Sequence, residues 1–394
     1  MILSLFFFSV LVFCKQYILT PKQNNVQYMN LAVFNEEHNI EELATFGDLT
    51  IYKTQEDNLA RYKNTFNAFY DIEEEQTYKV NWNGETGFVL VEEPDQFKVQ
   101  ESVPWHLDRI SKRELPLDGT YAYNSPGSCH KNSDVEIETV VVDTGVDQTH
   151  PEFEGRAEFL ENFSGDGIDT DCNSHGTFCS SQIGGLKAGV CKSAKLFAVK
   201  VLDCDGSGNT SGVIAGMDYV FKRHLKNEKK NSKLRTIMSM SLGGGYSRSM
   251  NMAIERMVTS SDTFYIVVAS GNENSNACNT SPASARGILT VNAMNRNDQR
   301  AYFSNFGKCT DIYSPGVSNY GAVLNGKYAV ESGTSFSTPI LAGVMNHVLD
   351  ENPFVNMKQL KEKILSDATK DIISGNKKQT PNLMVFLKRN DDDN

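Results

Sequence analysis

The chain has 394 residues, 40% of them hydrophobic, which is enough for a sizeable core and calls for a large folded unit with a smaller one beside it. A formal net charge of −11 at pH 7, with no basic patch to neutralise phosphates, excludes nucleic acid as a partner. The main basic run, LKNEKKNSKLR at 225–235, reads as a solvated surface loop.

Residues 2–14, ILSLFFFSVLVFC, form an apolar stretch too short to span a bilayer comfortably. It reads as a secretory signal peptide over residues 1–15, with an uncleaved anchor as the alternative. Residues 16–100 read as a separate acidic α+β module. Its expected elements are a strand at YILT (17–20), a helix across Asn58–Phe69 and a closing strand in GFVLVEE (87–93). The rest, residues 101–394, alternates apolar runs with helix-like segments. The runs are VVVDT, LFAVKVL (196–202), IMSMSL (237–242), FYIVVAS (264–270) and ILTVNAM (288–294), and amphipathic stretches such as Ser211–His224 separate them. Continuous apolar runs predict an α/β fold, a parallel sheet with helices on both faces. Functional residues of such sheets gather at the C-terminal ends of the strands.

Three stretches carry chemistry. SGTSFSTPILAG (332–343) sets Ser335 at the mouth of a helix, with Gly333 for a sharp turn and Pro339 in a first-turn position. Ser335 then sits where unpaired amides and the positive end of the helix dipole point. A serine hydroxyl attacks a carbonyl only with a base beside it and a third group orienting that base. VEIETVVVDTG (135–145) reads as a buried strand ending at Asp143, and SHGT (174–177) places His175 beside a glycine in a small-residue loop. Singly, each has a commonplace role as a helix cap, a loop-amide acceptor or a loop histidine. Their joint order and contexts carry the assignment.

The order Asp143, His175, Ser335 within DTG, HGT and GTS resembles the subtilisin-like serine peptidases. HPEFEGRA (150–157), GSG (206–208), AGMDYV (215–220), SLGGGYS (241–247), SGNEN (270–274) and SPAS (281–284) are similar to the proteinase K and cerevisin branch. The resemblance implies a subtilisin-like catalytic domain over 101–394, preceded by an inhibitory propeptide over 16–100 whose C-terminal tail occupies the cleft. Self-cleavage is expected between about Phe97 and Pro104, because VPWHLDRIS (103–111) is similar to a family segment near the mature N-terminus.

The same resemblance implies that Ser335 attacks, His175 relays the proton, Asp143 holds the imidazole, and Asn272 helps stabilise the oxyanion. An extended peptide would add as a strand between Gly206, Ser207, Gly208 and Ser241, Leu242, Gly243. Ala269 and Gly271 would line a roomy, uncharged specificity pocket, which implies broad cleavage after apolar or aromatic residues. No cofactor is needed for catalysis. Asp311, with the backbone carbonyls of Arg286 and Ile288, is similar to a structural calcium site. The partners expected are protein and peptide substrates and the chain's own propeptide, and the enzyme is expected to be a monomer.

Without Cys14, seven cysteines remain, an odd number that leaves at least one thiol free. Cys179, on a buried segment just after His175, is the expected one, and the resemblance pairs Cys278 with Cys309. Phe178 and Ile340 stand where relatives commonly carry histidines, and the two are expected to adjoin behind the triad. Sequons occur at Asn162, Asn209 and Asn279. The reading is a secreted or vacuolar-lumen serine endopeptidase zymogen. Its rivals are a catalytically silent secreted binding protein that keeps the fold, and a thiol enzyme using Cys179.

Overall fold

The computed structural model describes residues 15–22, 39–46, 48–80, 89–91, 103–121, 129 and 134–388. Residues 1–14 of the expected signal peptide and 97–102 of the expected cleavage region lie outside them. Among the described residues, no helix is long and apolar enough to cross a membrane.

The N-terminal unit contains β1 (Gln16–Pro21), β2 (Glu41–Phe46), β3 (Leu49–Gln55), α1 (Glu56–Phe69) and β4 (Tyr70–Glu74). Its antiparallel sheet has the order β2-β3-β1-β4, and Leu59 and Phe66 of α1 pack with Leu19, Ile40 and Tyr70. The strand and helix expected at 17–20 and 58–69 are both present. β5 (Thr77–Val80) leaves this sheet for the large unit. β6 (Val89–Val91) also pairs elsewhere, antiparallel to Lys327–Glu331. The run at 87–93 therefore adds no strand to the small sheet, because an apolar run names a strand but not its partner.

The large unit continues with α2 (Trp105–Ile110), β7 (Glu136–Asp143), β8 (Ala157–Asn162), α3 (His175–Gly184), β9 (Lys195–Lys200), β10 (Ser207–Asn209) and α4 (Thr210–Glu228). Next come β11 (Leu234–Met240), β12 (Leu242–Gly245), α5 (Arg248–Ser260), β13 (Phe264–Ala269), β14 (Thr280–Ser281), β15 (Leu289–Met294) and β16 (Ile312–Pro315). The chain ends with β17 (Asn319–Val323), β18 (Lys327–Glu331), α6 (Thr334–Glu351), α7 (Met357–Asp367), β19 (Thr369–Lys370) and β20 (Leu383–Met384).

The five apolar runs become β7, β9, β11, β13 and β15 of a nine-stranded sheet, ordered β19-β20-β16-β15-β13-β11-β7-β9-β8. All neighbouring pairs from β20 to β8 are parallel. Alternate residues of each strand face opposite layers, since side chains along a strand point up and down in turn. Val141, Ile237 and Val267 join Leu341 and Val344 of α6. Val140, Met238 and Ile266 join Val213 and Ile214 of α4 and Met250 and Ile254 of α5. Both faces are thus covered, which explains why the runs are apolar throughout rather than alternating. Disulfides join Cys129 to Cys191, Cys172 to Cys204 and Cys278 to Cys309, and Cys179 is free and buried.

Candidate active site

Asp143 is the last residue of β7 and His175 the first of α3, and both are fully buried. The His175 Nδ1–H donates to Asp143 Oδ1 at 2.7 Å, and that oxygen also accepts from Thr144 N at 2.7 Å. The two segments approach this closely because Gly176 has no side chain: a Cβ there would lie 2.1 Å from the Gly145 carbonyl oxygen. Asp171 ties them together. Its Oδ1 accepts from Thr144 Oγ1 at 2.9 Å, while its Oδ2 accepts from Thr177 N at 2.9 Å and Thr177 Oγ1 at 2.6 Å.

Burial opposes charge on the His175 imidazole, but the Asp143 carboxylate outweighs it and holds the pKa well above the ordinary value of 6.5. The other ring nitrogen, Nε2, is buried and has no hydrogen-bond partner. Cys179 Sγ lies 3.9 Å from Nδ1, the nitrogen already engaged with Asp143. Burial raises the thiol's pKa, with His175 opposing. A neutral thiol on the carboxylate side of the ring has no free nitrogen to take its proton, so this geometry gives no support to a thiol nucleophile.

Ser335 is the second residue of α6. Pro339 lies inside the helix rather than in its first turn, and it has no N–H to give the carbonyl four residues earlier. That carbonyl belongs to Ser335, and it accepts instead from Ser241 Oγ at 2.8 Å and Cys179 Sγ at 3.5 Å. The Ser335 hydroxyl returns the contact, donating to the Ser241 carbonyl at 2.9 Å. Gly333 is extended, with φ 164°, and so makes no left-handed turn.

Asn272 completes the cluster. Its Oδ1 accepts from Thr334 N and Thr334 Oγ1, both at 2.9 Å, which fixes the amide plane. Its Nδ2 is left buried without a partner. An unsatisfied buried donor costs about 1–3 kcal/mol. Ala269 ends β13, and the N–H of Gly271 reaches Thr334 Oγ1 at 3.2 Å. Thr334 was not singled out in sequence, although it stands inside the GTS motif.

The profile of the Subtilase family matches residues 138–385. The chain belongs to the subtilase family. It is 39% identical over 308 residues to alkaline protease 2 of Aspergillus fumigatus, covering 73% of this chain and 61% of that protein. It is 38% identical to the subtilisin-like serine protease Pen c 2 of Penicillium citrinum, covering 66% of that protein. Against the subtilisin-like serine protease Rho m 2.0101 of Rhodotorula mucilaginosa it is 38% identical, covering 74% of this chain and 88% of the relative. The solved structure of a cold adapted subtilisin-like serine proteinase superposes with a TM-score of 0.66 at 36% identity, over 74% of this chain and all of that one. The chain thus spans less than two thirds of the length of the first of these relatives.

In this subtilase the two edges expected to hold substrate already hold a strand. β5 runs antiparallel to β10, with Ser207 opposite Lys79, Gly208 opposite Tyr78 and Asn209 opposite Thr77. It also runs antiparallel to β12, with Gly243 opposite Lys79 and Leu242 opposite Val80. Val80 N donates to Gly206 O at 3.1 Å. Of the sequon residues, Asn209 caps α4, its Oδ1 accepting from Gly212 N at 2.8 Å.

One expectation taken from relatives meets a different chemistry in this subtilase. The Lys361 ammonium lies 2.6 Å from Asp311 Oδ1 and donates to Ile288 O at 2.7 Å, while Asp311 Oδ2 accepts from Thr290 N at 2.9 Å. A lysine thus already neutralises the carboxylate and occupies one of the two carbonyls offered to calcium, so the residues present do not fit that ion. Phe178 and Ile340 are both fully buried in one apolar cluster. The Phe178 ring packs on Phe336 with centroids 4.5 Å apart, and Phe336 stands 5.4 Å from the His175 ring. A Cβ at position 321 would come within 2.7 Å of the Phe178 ring, so Gly321 makes the room that the larger side chain needs.

Proposed function

We propose that this chain is a serine endopeptidase made as a self-inhibited precursor, in which Asp143, His175 and Ser335 act as the catalytic triad. The observation that carries this reading is β5, an extended segment of the chain's own N-terminal unit hydrogen-bonded between two edges beside Ser335. A cleft that binds backbone on both sides takes extended peptides of many sequences. Ser335 Oγ turns from the Ser241 carbonyl to His175 Nε2, gives up its proton there and attacks the peptide carbonyl. The imidazolium then protonates the leaving amine, and Asp143 stabilises it meanwhile. Asn272 Nδ2 and the Ser335 N–H stabilise the oxyanion.

The specificity proposed is broad, with a preference for apolar or aromatic side chains beside Ala269 and Gly271. No cofactor takes part. Entry into the secretory pathway is supported by the apolar run at 2–14 and by three disulfides, which persist in oxidising compartments. The test is to treat purified, processed protein with a fluorophosphonate probe and with casein. Labelling at Ser335 and casein hydrolysis, both absent in Ser335→Ala, are expected. A processed wild-type protein that neither labels nor digests casein would be the silent binding protein instead.

A further inference from the structure

We propose that the hollow between α5, α7 and the turns ahead of β15 and β16 is an anion site that binds the carboxylates of a short acidic peptide segment. The cavity has a volume of about 780 Å³, the size of a ligand site and far more than one inorganic anion needs. Arg248, Arg286, Lys308 and Lys361 line it, against two carboxylates, Glu255 and Asp311. Both carboxylates are engaged. Asp311 is held by Lys361 at 2.6 Å and by Thr290 N at 2.9 Å, and Glu255 Oε1 accepts from Arg286 N at 3.1 Å. Arg286 and Lys308 are exposed, and among the described residues neither side chain has a carboxylate or hydrogen-bond partner. Exposed cations are ordinary on a solvated face, but cations gathered around one concave wall focus a positive field into it. No run of the sequence announces this hollow, because its cations come from four separate segments and meet only after folding.

The molecule itself shows which group fits the rim. Arg248 Nη2 lies 3.3 Å from Asp71 Oδ2 of the N-terminal unit, a carboxylate brought there by peptide chain. Tyr246, also on the wall, follows β12 directly, and its carbonyl accepts from Gln76 Nε2 at 3.2 Å. The hollow therefore adjoins the edge on which β5 lies, where extended backbone is already held. A long polyanion would meet the repulsion of a chain with net charge −11, whereas the local field acts only within a Debye length of about 8 Å at physiological salt. Those two terms together favour a few adjacent Asp or Glu side chains. The site is independent of the catalytic reading above.

To test it, a dye-labelled hexa-aspartate peptide is titrated with the full-length Ser335→Ala chain, and fluorescence anisotropy is read at low and at physiological salt. Saturable binding that weakens with salt is expected, and an uncharged glycine-serine peptide of equal length should not bind. The double variant Arg286→Ala, Lys308→Ala, made in the same background, should bind hexa-aspartate about tenfold or more weakly. Both side chains are exposed, and the charge-keeping pair Arg286→Lys, Lys308→Arg should bind as the unsubstituted chain does. No binding of hexa-aspartate, equal binding by the alanine pair, or loss of binding in the charge-keeping pair overturns the site. A heparin fragment that binds these same residues more tightly than hexa-aspartate overturns the acidic peptide as its ligand.

Discussion

At the scale of single residues, His175 Nε2 and Asn272 Nδ2 are among the atoms of the cluster buried without partners, and each predicts a measurement. Asn272→Leu removes a donor while the apolar volume stays, so kcat is expected to fall by about 10²–10³-fold with little change in melting temperature. The imidazole must be neutral to act as a base. Opening the cleft removes the burial that lowers its pKa but leaves Asp143 in place, so the acid limb of kcat/KM is expected above the ordinary histidine range. An acid limb well below 6.5 would contradict that role for Asp143. A different histidine governs stability. Burial lowers the pKa of His106 to about 4, against its hydrogen bond to Ala188 O, while the unfolded chain takes up the proton near 6.5. The stabilisation is therefore complete above pH 6.5 and is lost as pH falls towards 4, by about 3 kcal/mol over that window. His106→Asn should flatten the acid side of a plot of melting temperature against pH. Asp143, His175, Ser335 and Asn272 were legible in sequence because each stands in a short motif built with glycine or other small residues. Thr334 and the Ser241 hydroxyl were not, since their roles depend on segments that meet only after folding, Ser241 and Ser335 being 94 residues apart.

Elements explain how the N-terminal unit is held. Glu73 on β4 accepts from Ser249 N at 2.8 Å and Ser247 Oγ at 2.7 Å at the start of α5, and Glu75 accepts from Ser211 N at 3.1 Å at the start of α4. Two carboxylates thus meet two helix N-termini, where unpaired amides and the dipole favour negative charge. Replacing both by glutamine keeps the size and removes the charge. In the cleaved complex the apparent dissociation constant of the N-terminal unit should rise about tenfold, read from the dilution that restores peptide hydrolysis. An unchanged constant would mean that the ladder of β5 alone sets the affinity. The central strands were legible because burial on both faces leaves runs with no polar break. β8, with the sequence AEFLEN at a sheet edge, and β16, IYSP, were not, since charge on one and proline in the other mask the pattern. Nor could the partners of β5 be read, because TYKV carries nothing that names the glycine-rich edges it joins.

Across the whole molecule, an internal ammonium stands where a metal was expected. Lys361 links α7 to the segment before β15 and to Asp311 just ahead of β16, so one side chain fastens a helix to the sheet. A chelator is expected to leave the melting temperature of the native protein unchanged. Lys361→Met leaves a largely buried carboxylate without its partner and should cost about 1–2 kcal/mol, part of which millimolar calcium chloride restores. A fall in melting temperature when chelator is added to the native protein would reverse this account. The overall architecture was legible from hydrophobic pattern and motif order, whereas this exchange was not, because Asp311 and Lys361 are distant in sequence and backbone carbonyls leave no trace in it. The pairing of β5 with both cleft edges has one more outcome. On the proposed precursor reading, a cut outside Thr77–Val80 would break none of those ladder bonds, so scission and unmasking would be separate events with separate clocks. A freshly nicked molecule would then stay silent until its plug diffused off or was digested, and the onset of proteolysis in a population is expected to accelerate as the first liberated copies consume the plugs of the others.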